Sequence, residues 1–255
     1  MESGKGNIFQ EIEMDGFIDI HSHILPELDD GSESMEQTIR MVKLAFEEGT
    51  RTIVATPHYC CGRYEPSPEI LQDSLQKVQE AIKDKVPDMN LMLGSEIYYS
   101  QESIRLLRNN RILTLAGTGY VLLEFSPLAE FRYIKNGLQE FIMEGYNPIL
   151  AHVERYWNVI KDLEQVQDFI EMGVGIQVNA MSVTGEMGKG CQAAVKKLLK
   201  NQSVHLIATD AHNLAIRAPR LRKCYGCIVK KYGNSYGEEL FYGNQKKILA
   251  NQSLS

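Results

Sequence analysis

Cysteine is scarce in this chain, and long apolar runs are missing. The five cysteines among 255 residues are an odd set with no disulfide framework, which fits a reducing compartment. Cys60 and Cys61 are adjacent and Cys191 stands alone; Cys224-Tyr225-Gly226-Cys227 falls in a stretch patterned as helix, with no second pair to complete a zinc site. No cysteine is followed by an arginine six positions later, which removes the spacing that a thiol-nucleophile phosphatase uses. No segment approaches the ~18 uninterrupted apolar residues of a membrane-spanning helix, and residues 1–15 lack the apolar centre of a signal peptide. Positive charge is not in excess either: 27 Lys and Arg against 33 Asp and Glu leave a net charge of −6. That balance gives no general attraction to nucleic acid or to an anionic membrane. Internal repeats and low-complexity tracts are absent, and a cytoplasmic protein is expected.

What is present is an ordinary globular composition, 44% hydrophobic and 24% charged, in a chain long enough to bury a sizeable core. Strand-like runs at 17–23, 51–56, 90–93, 120–123, 148–151, 175–178 and 204–208 alternate with helix-patterned stretches. Ser34-Met35-Glu36-Gln37 has the form of a capping box, and Ser67-Pro68 places an N-cap before proline at the first helical position. Further helices are expected at 101–108, 134–144, 161–172, 191–200, 219–231 and 237–250. Seven strand–helix units imply a parallel sheet closed into a barrel, with an open doubly wound sheet as the alternative. The rhythm has no linker, so 1–255 reads as one domain in which residues 1–15 form an N-terminal extension without an assigned role.

The chemistry sits at the strand ends. His21 and His23 close the first strand, His58 follows the second, Glu96 the third, Glu124 the fourth, His152 the fifth, and Asp210 and His212 the seventh. Residues at i and i+2 of a strand share a face, so His21 and His23 can meet one cation. In a parallel α/β barrel all carboxyl ends share one rim, where active sites are built. Asp30, in the loop after the first pair, can join them. His205 lies within the seventh strand run and reads as a packing or hydrogen-bonded histidine. Imidazoles and carboxylates without thiolate suit Mn, Fe, Zn or Mg, and nine ligands imply a cluster of two or three ions.

The motifs Asp19-Ile20-His21-Ser22-His23, Asp29-Asp30-Gly31, Ala55-Thr56-Pro57-His58, Gly94-Ser95-Glu96-Ile97-Tyr98, Leu123-Glu124-Phe125, Ala151-His152-Val153-Glu154-Arg155-Tyr156 and Thr209-Asp210-Ala211-His212-Asn213 resemble the PHP (polymerase and histidinol phosphatase) superfamily. Within it the chain is similar to the CpsB/YwqE family of bacterial protein-tyrosine phosphatases from capsule and exopolysaccharide operons. The resemblance implies a distorted (β/α)7 barrel of PHP type with its metal site at the C-terminal ends of the strands. It also implies three ions per chain, Mn2+ first and Fe, Zn or Mg as alternatives. His21, His23, Glu96 and Asp210 would hold one ion; Glu96 would bridge to a second completed by Glu124 and His152; Asp30, His58 and His212 would hold the third. Asp30 is taken over its neighbour Asp29. Arg155 and Arg217 would bind phosphate as catalytic residues, whereas Arg63 and Arg132 in rim loops read equally well as surface arginines.

Charge favours a phosphate ester. Three divalent ions against four carboxylates leave roughly +2, which matches a phosphate of about −1.5 to −2. Metal-bound water near neutral pKa can attack phosphorus as a bridging hydroxide, and a phenolate, pKa ~10, leaves without a strong acid. The expected function is a manganese-dependent protein-tyrosine phosphatase acting on the phosphotyrosine-containing tail of a polysaccharide-assembly tyrosine kinase, with no nucleic-acid partner and no membrane insertion. A small-molecule phosphatase of the superfamily, such as a histidinol phosphatase, is the alternative, and a non-catalytic metal-binding protein is the reading from another class.

Overall fold

Strands form wherever the seven apolar runs predict them, and two of them resume, after a two-residue break, in a second segment beyond the expected run. The computed structural model describes residues 16–254. Its strands are β1 (Phe17–Ser22), β2 (Thr50–Ala55), β3 (His58–Tyr59), β4 (Asn90–Leu93), β5 (Glu96–Tyr98), β6 (Tyr120–Glu124), β7 (Asn147–Leu150), β8 (Gly175–Asn179) and β9 (Leu206–Ala208). They pair in the orders β1-β2-β4 and β3-β5-β6-β7-β8-β9, always in parallel. Pro57, which has no N–H to give a ladder, separates β2 from β3. The bonds Gly94 N–H to Ala55 O (2.8 Å) and Glu96 N–H to Pro57 O (3.1 Å) carry the pairing across both breaks. The nine segments therefore act as seven strands. A side chain at Gly94 would crowd this break, because a Cβ there would lie 2.9 Å from Leu115 Cδ2 and 3.2 Å from Leu115 Cα.

The curl returns the last strand to the first. Ser22 and Ala211 form a parallel bridge, the His23 N–H donates to Ala211 O and the Asp210 N–H to His21 O, both at 2.8 Å. Asp19, buried within β1, accepts from the Thr209 N–H at 3.0 Å and from the Thr209 hydroxyl. Between Asp19 and Ser22 β1 advances three residues while β2 advances two, Ile53 to Ala55; such a bulge re-aims side chains beside a site.

Side-chain alternation sorts the core into layers. Ile18, Ile20, Val54, Leu122, Ile149, Ala151, Leu206 and Ala208 fill the barrel interior. Val121, Leu123, Leu150, Ile176, Val178 and Ile207 face outward against helices. At the end opposite the rim, Phe17, Tyr225 and Phe241 pack with ring centroids 5.2, 5.6 and 5.3 Å apart.

The helices begin where caps allow. In α1 (Met35–Glu47) Ser34 accepts from the Gln37 N–H at 3.2 Å. The expected return bond goes instead from Glu33 N–H to Gln37 Oε1, 3.3 Å, one residue earlier than a full capping box. Ser34→Ala is expected to cost about 1 kcal/mol, read as a fall of about 2–4 °C in Tm; an unchanged Tm would show the cap to be idle. The helix expected at 161–172 runs Leu163–Glu171, capped by Asp162, behind a separate turn Trp157–Ile160. A short helix at Ala180–Thr184 directly follows β8; one turn is too short to show a period. The stretch expected as one helix at 237–250 is Asn234–Glu238, a π turn Glu239–Gly243 and Asn244–Leu249. The wider turn keeps Leu240 and Phe241 both buried, and Gln245 Nε2 donates to Leu240 O at 2.6 Å inside it.

His205 behaves as a hydrogen-bonded histidine, its Nδ1 accepting from the Ile176 N–H at 3.1 Å. The helix Arg222–Tyr232 carries Cys224 buried and Cys227 exposed, both free. Among the described residues no helix is long and apolar enough to cross a membrane. The expectation for residues 1–15 lies outside the described residues.

Candidate metal and phosphate site

Parallel register sets Leu122 opposite Glu96 and Glu96 opposite His58, so all three positions share the barrel's inner face. Glu96 is fully buried and is the hub of the site. Its Oε2 lies 3.2 Å from His21 Nε2, 3.1 Å from His23 Nε2 and 3.0 Å from His58 Nδ1, and its Oε1 lies 2.9 Å from His152 Nε2. Glu124 approaches His152 Nε2 at 3.4 Å and His58 Nδ1 at 3.7 Å. Asp210 Oδ1 stands 3.4 Å from His21 Nε2 and 3.5 Å from His23 Nε2. Asp30 Oδ1 is 3.4 Å from His58 Nε2 and 3.6 Å from His212 Nε2. All nine candidate ligands come together on one rim.

Three donor sets are compact enough to hold an ion: His21, His23, Glu96, Asp210; His23, Asp30, His58, His212; and His58, Glu96, Glu124. The first is the set the motifs imply. In the others His23 joins the Asp30 group, and His58 rather than the expected His152 completes the set with Glu96 and Glu124, while His152 stands 3.4 Å from Glu124. The cause is that His58 turns one ring nitrogen toward each group.

Hydrogen bonds behind the rings decide which nitrogens face inward. The His152 N–H can only donate, and it reaches Gln177 Oε1 at 2.8 Å; the same oxygen, 3.2 Å from His21 Nδ1, makes that nitrogen the proton carrier. Asp29 Oδ2, 2.7 Å from His23 Nδ1, has the same effect, as does the Asp210 backbone carbonyl 3.0 Å from His212 Nδ1. Each Nε2 then faces carboxylate oxygens, and those of His21 and His23 lie only 3.3 Å apart. Such positions need a cation, a proton or a metal ion. Glu96 Oε2, His152 Nδ1 and His212 Nε2 are buried with no hydrogen-bond partner. The donor chemistry and the orphaned atoms fit a cluster of divalent ions. His152 and Asp210 hold positive φ of 34° and 52°, strain of the kind that concentrates at sites.

The field of the site carries the same message. Burial, then the charge of Glu96, pushes Glu124 up to about 9. Burial, then Arg155, holds His152 down to about 4. Burial lowers His58 and His212 as well. For Glu96 burial acts upward, but the His21 and His58 charges outweigh it and hold the carboxyl well below its ordinary range. For His23 burial acts downward, but Asp29 outweighs it and lifts the imidazole to about 10. The pocket ionises its carboxylates together only when positive charge is supplied.

Residues 17–250 match the family described as capsular polysaccharide synthesis, CpsB/CapC. The chain belongs to the CpsB/CapC family. The tyrosine-protein phosphatase CpsB of Streptococcus pneumoniae is 35% identical over 240 residues, 92% of this chain and 99% of that protein. The tyrosine-protein phosphatase YwqE of Bacillus subtilis (strain 168) is 30% identical over 238 residues, 93% of each. A crystal structure from work on YwqE from Bacillus subtilis and CpsB from Streptococcus pneumoniae, described as unique metal-dependent tyrosine phosphatases, superposes with a TM-score of 0.87 at 29% identity over 92% of this chain and 95% of that one. The phosphotriesterase from Mycobacterium tuberculosis shares the fold alone, with a TM-score of 0.59 at 11% identity over 95% of this chain and 96% of that one. The expected resemblance and barrel class both hold.

In this CpsB/CapC chain the two candidate arginines flank one carboxylate. Arg155 Nη2 is 2.6 Å from Asp210 Oδ2 and Arg217 Nη2 is 2.5 Å from Asp210 Oδ1. Both line a cavity of about 500 Å³ with Asp30, His58, Glu124 and Arg63. Arg217 Nε is buried without an acceptor, a donor left for an anion. Arg132 starts the helix Phe131–Met143, exposed, and is absent from the cavity lining. The geometry separates the neighbouring aspartates: Asp30 faces ring nitrogens across the cavity, whereas Asp29 sits behind His23 and accepts the His58 N–H at 2.9 Å. Gln177 and Asn179 escaped sequence reading; Gln177 Nε2 donates to Asn179 Oδ1 and Asn179 Nδ2 to Asp210 Oδ2, both at 2.8 Å. Their signal was two amides two apart in a buried strand, Gly175–Asn179, that offers no ligand of its own.

Proposed function

We propose that the chain is a manganese-dependent protein-tyrosine phosphatase, one cytoplasmic metallophosphatase domain, that hydrolyses phosphotyrosine on the tail of a polysaccharide-biosynthesis tyrosine kinase. The observation that carries this reading is a single buried carboxylate, Glu96, set among four imidazoles beside two arginines that line the same cavity. Its support also includes the relatives that are themselves named tyrosine-protein phosphatases.

His21, His23, Glu96 and Asp210 would hold one ion, Glu96, Glu124 and His152 a second, and Asp30, His58 and His212 a third. When bound, the ions supply charge to neutralise the phosphate and lower the pKa of attacking water. Arg155 and Arg217 offer planar pairs of N–H donors to the phosphate oxygens. Asp29, Gln177 and Asn179 hold ring tautomers and carboxylate orientation from behind. Gln177→Leu is accordingly expected to weaken metal affinity about 10–100-fold, measured by competition with a calibrated chelator; unchanged affinity would remove Gln177 from the site.

Hydrolysis of a phosphotyrosyl peptide is expected to vanish on chelation, to return best with Mn among Mn, Fe, Zn and Mg, and to fall about 100-fold or more in His152→Ala. Full activity in metal-stripped protein would sink the proposal. A higher kcat/KM on histidinol phosphate than on the peptide would replace it with the small-molecule reading.

A further inference from the structure

Besides its ligands and arginines, the 500 Å³ cavity is lined by Cys60, Tyr64 and Tyr98, which the chemistry above does not use. Their placement follows from register. Tyr98 lies two residues beyond Glu96 on β5 and opposite Glu124 of β6, so it shares the inner face and stands about 6.6 Å further up the strand direction than Glu96. Cys60 bears the same relation to His58. Between them Ile97 and Tyr59 turn the other way, into the outer core.

Tyr64 reaches the cavity by a different route. Cys60 and Tyr64 form an antiparallel bridge, with Cys60 N–H to Tyr64 O at 2.7 Å and Tyr64 N–H to Cys60 O at 2.9 Å. The turn between them passes through Gly62 at φ 78° and folds the Tyr64 ring back over His58, centroids 6.1 Å apart and planes within 13°. The Arg63 guanidinium also lies over the ring, 4.7 Å from its centroid, and donates to the Tyr64 hydroxyl at 3.2 Å. Tyr64 is therefore held in place without being a ligand.

We infer that Tyr64 and Tyr98 are the walls of an aryl slot that makes the site selective for phosphotyrosine over phosphoserine and phosphothreonine. The inference rests on the phosphatase reading above. A phosphate held by Arg155 and Arg217 leaves the layer above it to whatever follows the ester oxygen. In phosphotyrosine that is a flat ring, which can pack against both tyrosines with favourable quadrupole geometry, and the peptide backbone stays a ring's length outside. In phosphoserine it is the backbone itself, which would have to enter between the two aromatic side chains and shed hydration from its amides without partners.

The test uses the manganese-loaded full chain and two peptides identical except for phosphotyrosine or phosphoserine. Tyr64→Ala and Tyr98→Ala are each expected to lower kcat/KM on the phosphotyrosyl peptide about 10-fold, mainly through KM, while leaving the phosphoseryl rate unchanged or raised. Tyr64→Phe should keep wild-type selectivity. Binding of a non-hydrolysable phosphonate analogue of the phosphotyrosyl peptide, followed by calorimetry, should weaken in parallel, with bound metal per chain unchanged. Equal losses on both peptides, or no loss on either, would overturn the slot while leaving the phosphatase reading intact. Absence of phosphotyrosyl hydrolysis by the wild-type protein would sink both together.

Discussion

Glu96→Gln is expected to lower kcat on a phosphotyrosyl peptide roughly 1,000-fold, a loss of about 4 kcal/mol in transition-state stabilisation, and to cut the bound divalent metal per chain. The carboxylate is fully buried and meets imidazole nitrogens of His21 on β1, His23 just past it, His58 on β3 and His152 in the loop after β7 at 2.9 to 3.2 Å. An amide keeps the shape but carries no charge, and its NH2 end would point a donor at positions that need an electron pair. Two of the three compact donor sets contain Glu96, so the substitution damages both. Metal per chain by elemental analysis, paired with kcat, checks it. Wild-type metal content together with activity within tenfold of wild type would remove Glu96 from its place at the hub.

Phe241→Ala is expected to destabilise the fold by about 3–5 kcal/mol, the cost of deleting a large buried aromatic that the surroundings cannot collapse around. Phe241 is fully buried and touches Phe17 of the first strand and Tyr225 of the helix Arg222–Tyr232, with centroids at 5.6 and 5.3 Å. It thereby ties the π turn Glu239–Gly243 to the first strand. Against a total of about 5–15 kcal/mol the loss is large. Urea denaturation reads it as a lower midpoint with an unchanged slope. This aromatic cluster lies at the end opposite the metal rim, so kcat of the folded fraction should stay at the wild-type value. A loss below about 1 kcal/mol would mean that the cluster is not a packed part of the core.

Much of the site was legible because its residue types sit at strand ends, and strand ends are marked by local pattern. An apolar run followed by His, Glu or Asp needs no knowledge of distant contacts. The same locality explains what was not legible. His21 is oriented by Gln177, which is 156 positions away, and β1 is latched through Asp19 to Thr209, 190 positions away. Tyr64 gains its place over His58 through a tight turn whose bridge, Cys60 to Tyr64, is too short to show a period. The π turn Glu239–Gly243 hid for a related reason: a helix-spaced apolar pattern does not say where an extra residue will be absorbed.

By itself the sequence determined the alternation of strands and helices, their parallel β-α arrangement and the residue types placed at strand ends, because those follow from local periodicity and from the ends of apolar runs. Tertiary structure alone decided which nitrogen of each histidine faces the cavity, that Gln177 and Asn179 stand behind the site, and which aromatic rings line the cavity. Each of those depends on a hydrogen bond or a packing contact between segments far apart in the chain, and only closing the barrel brings such segments within reach.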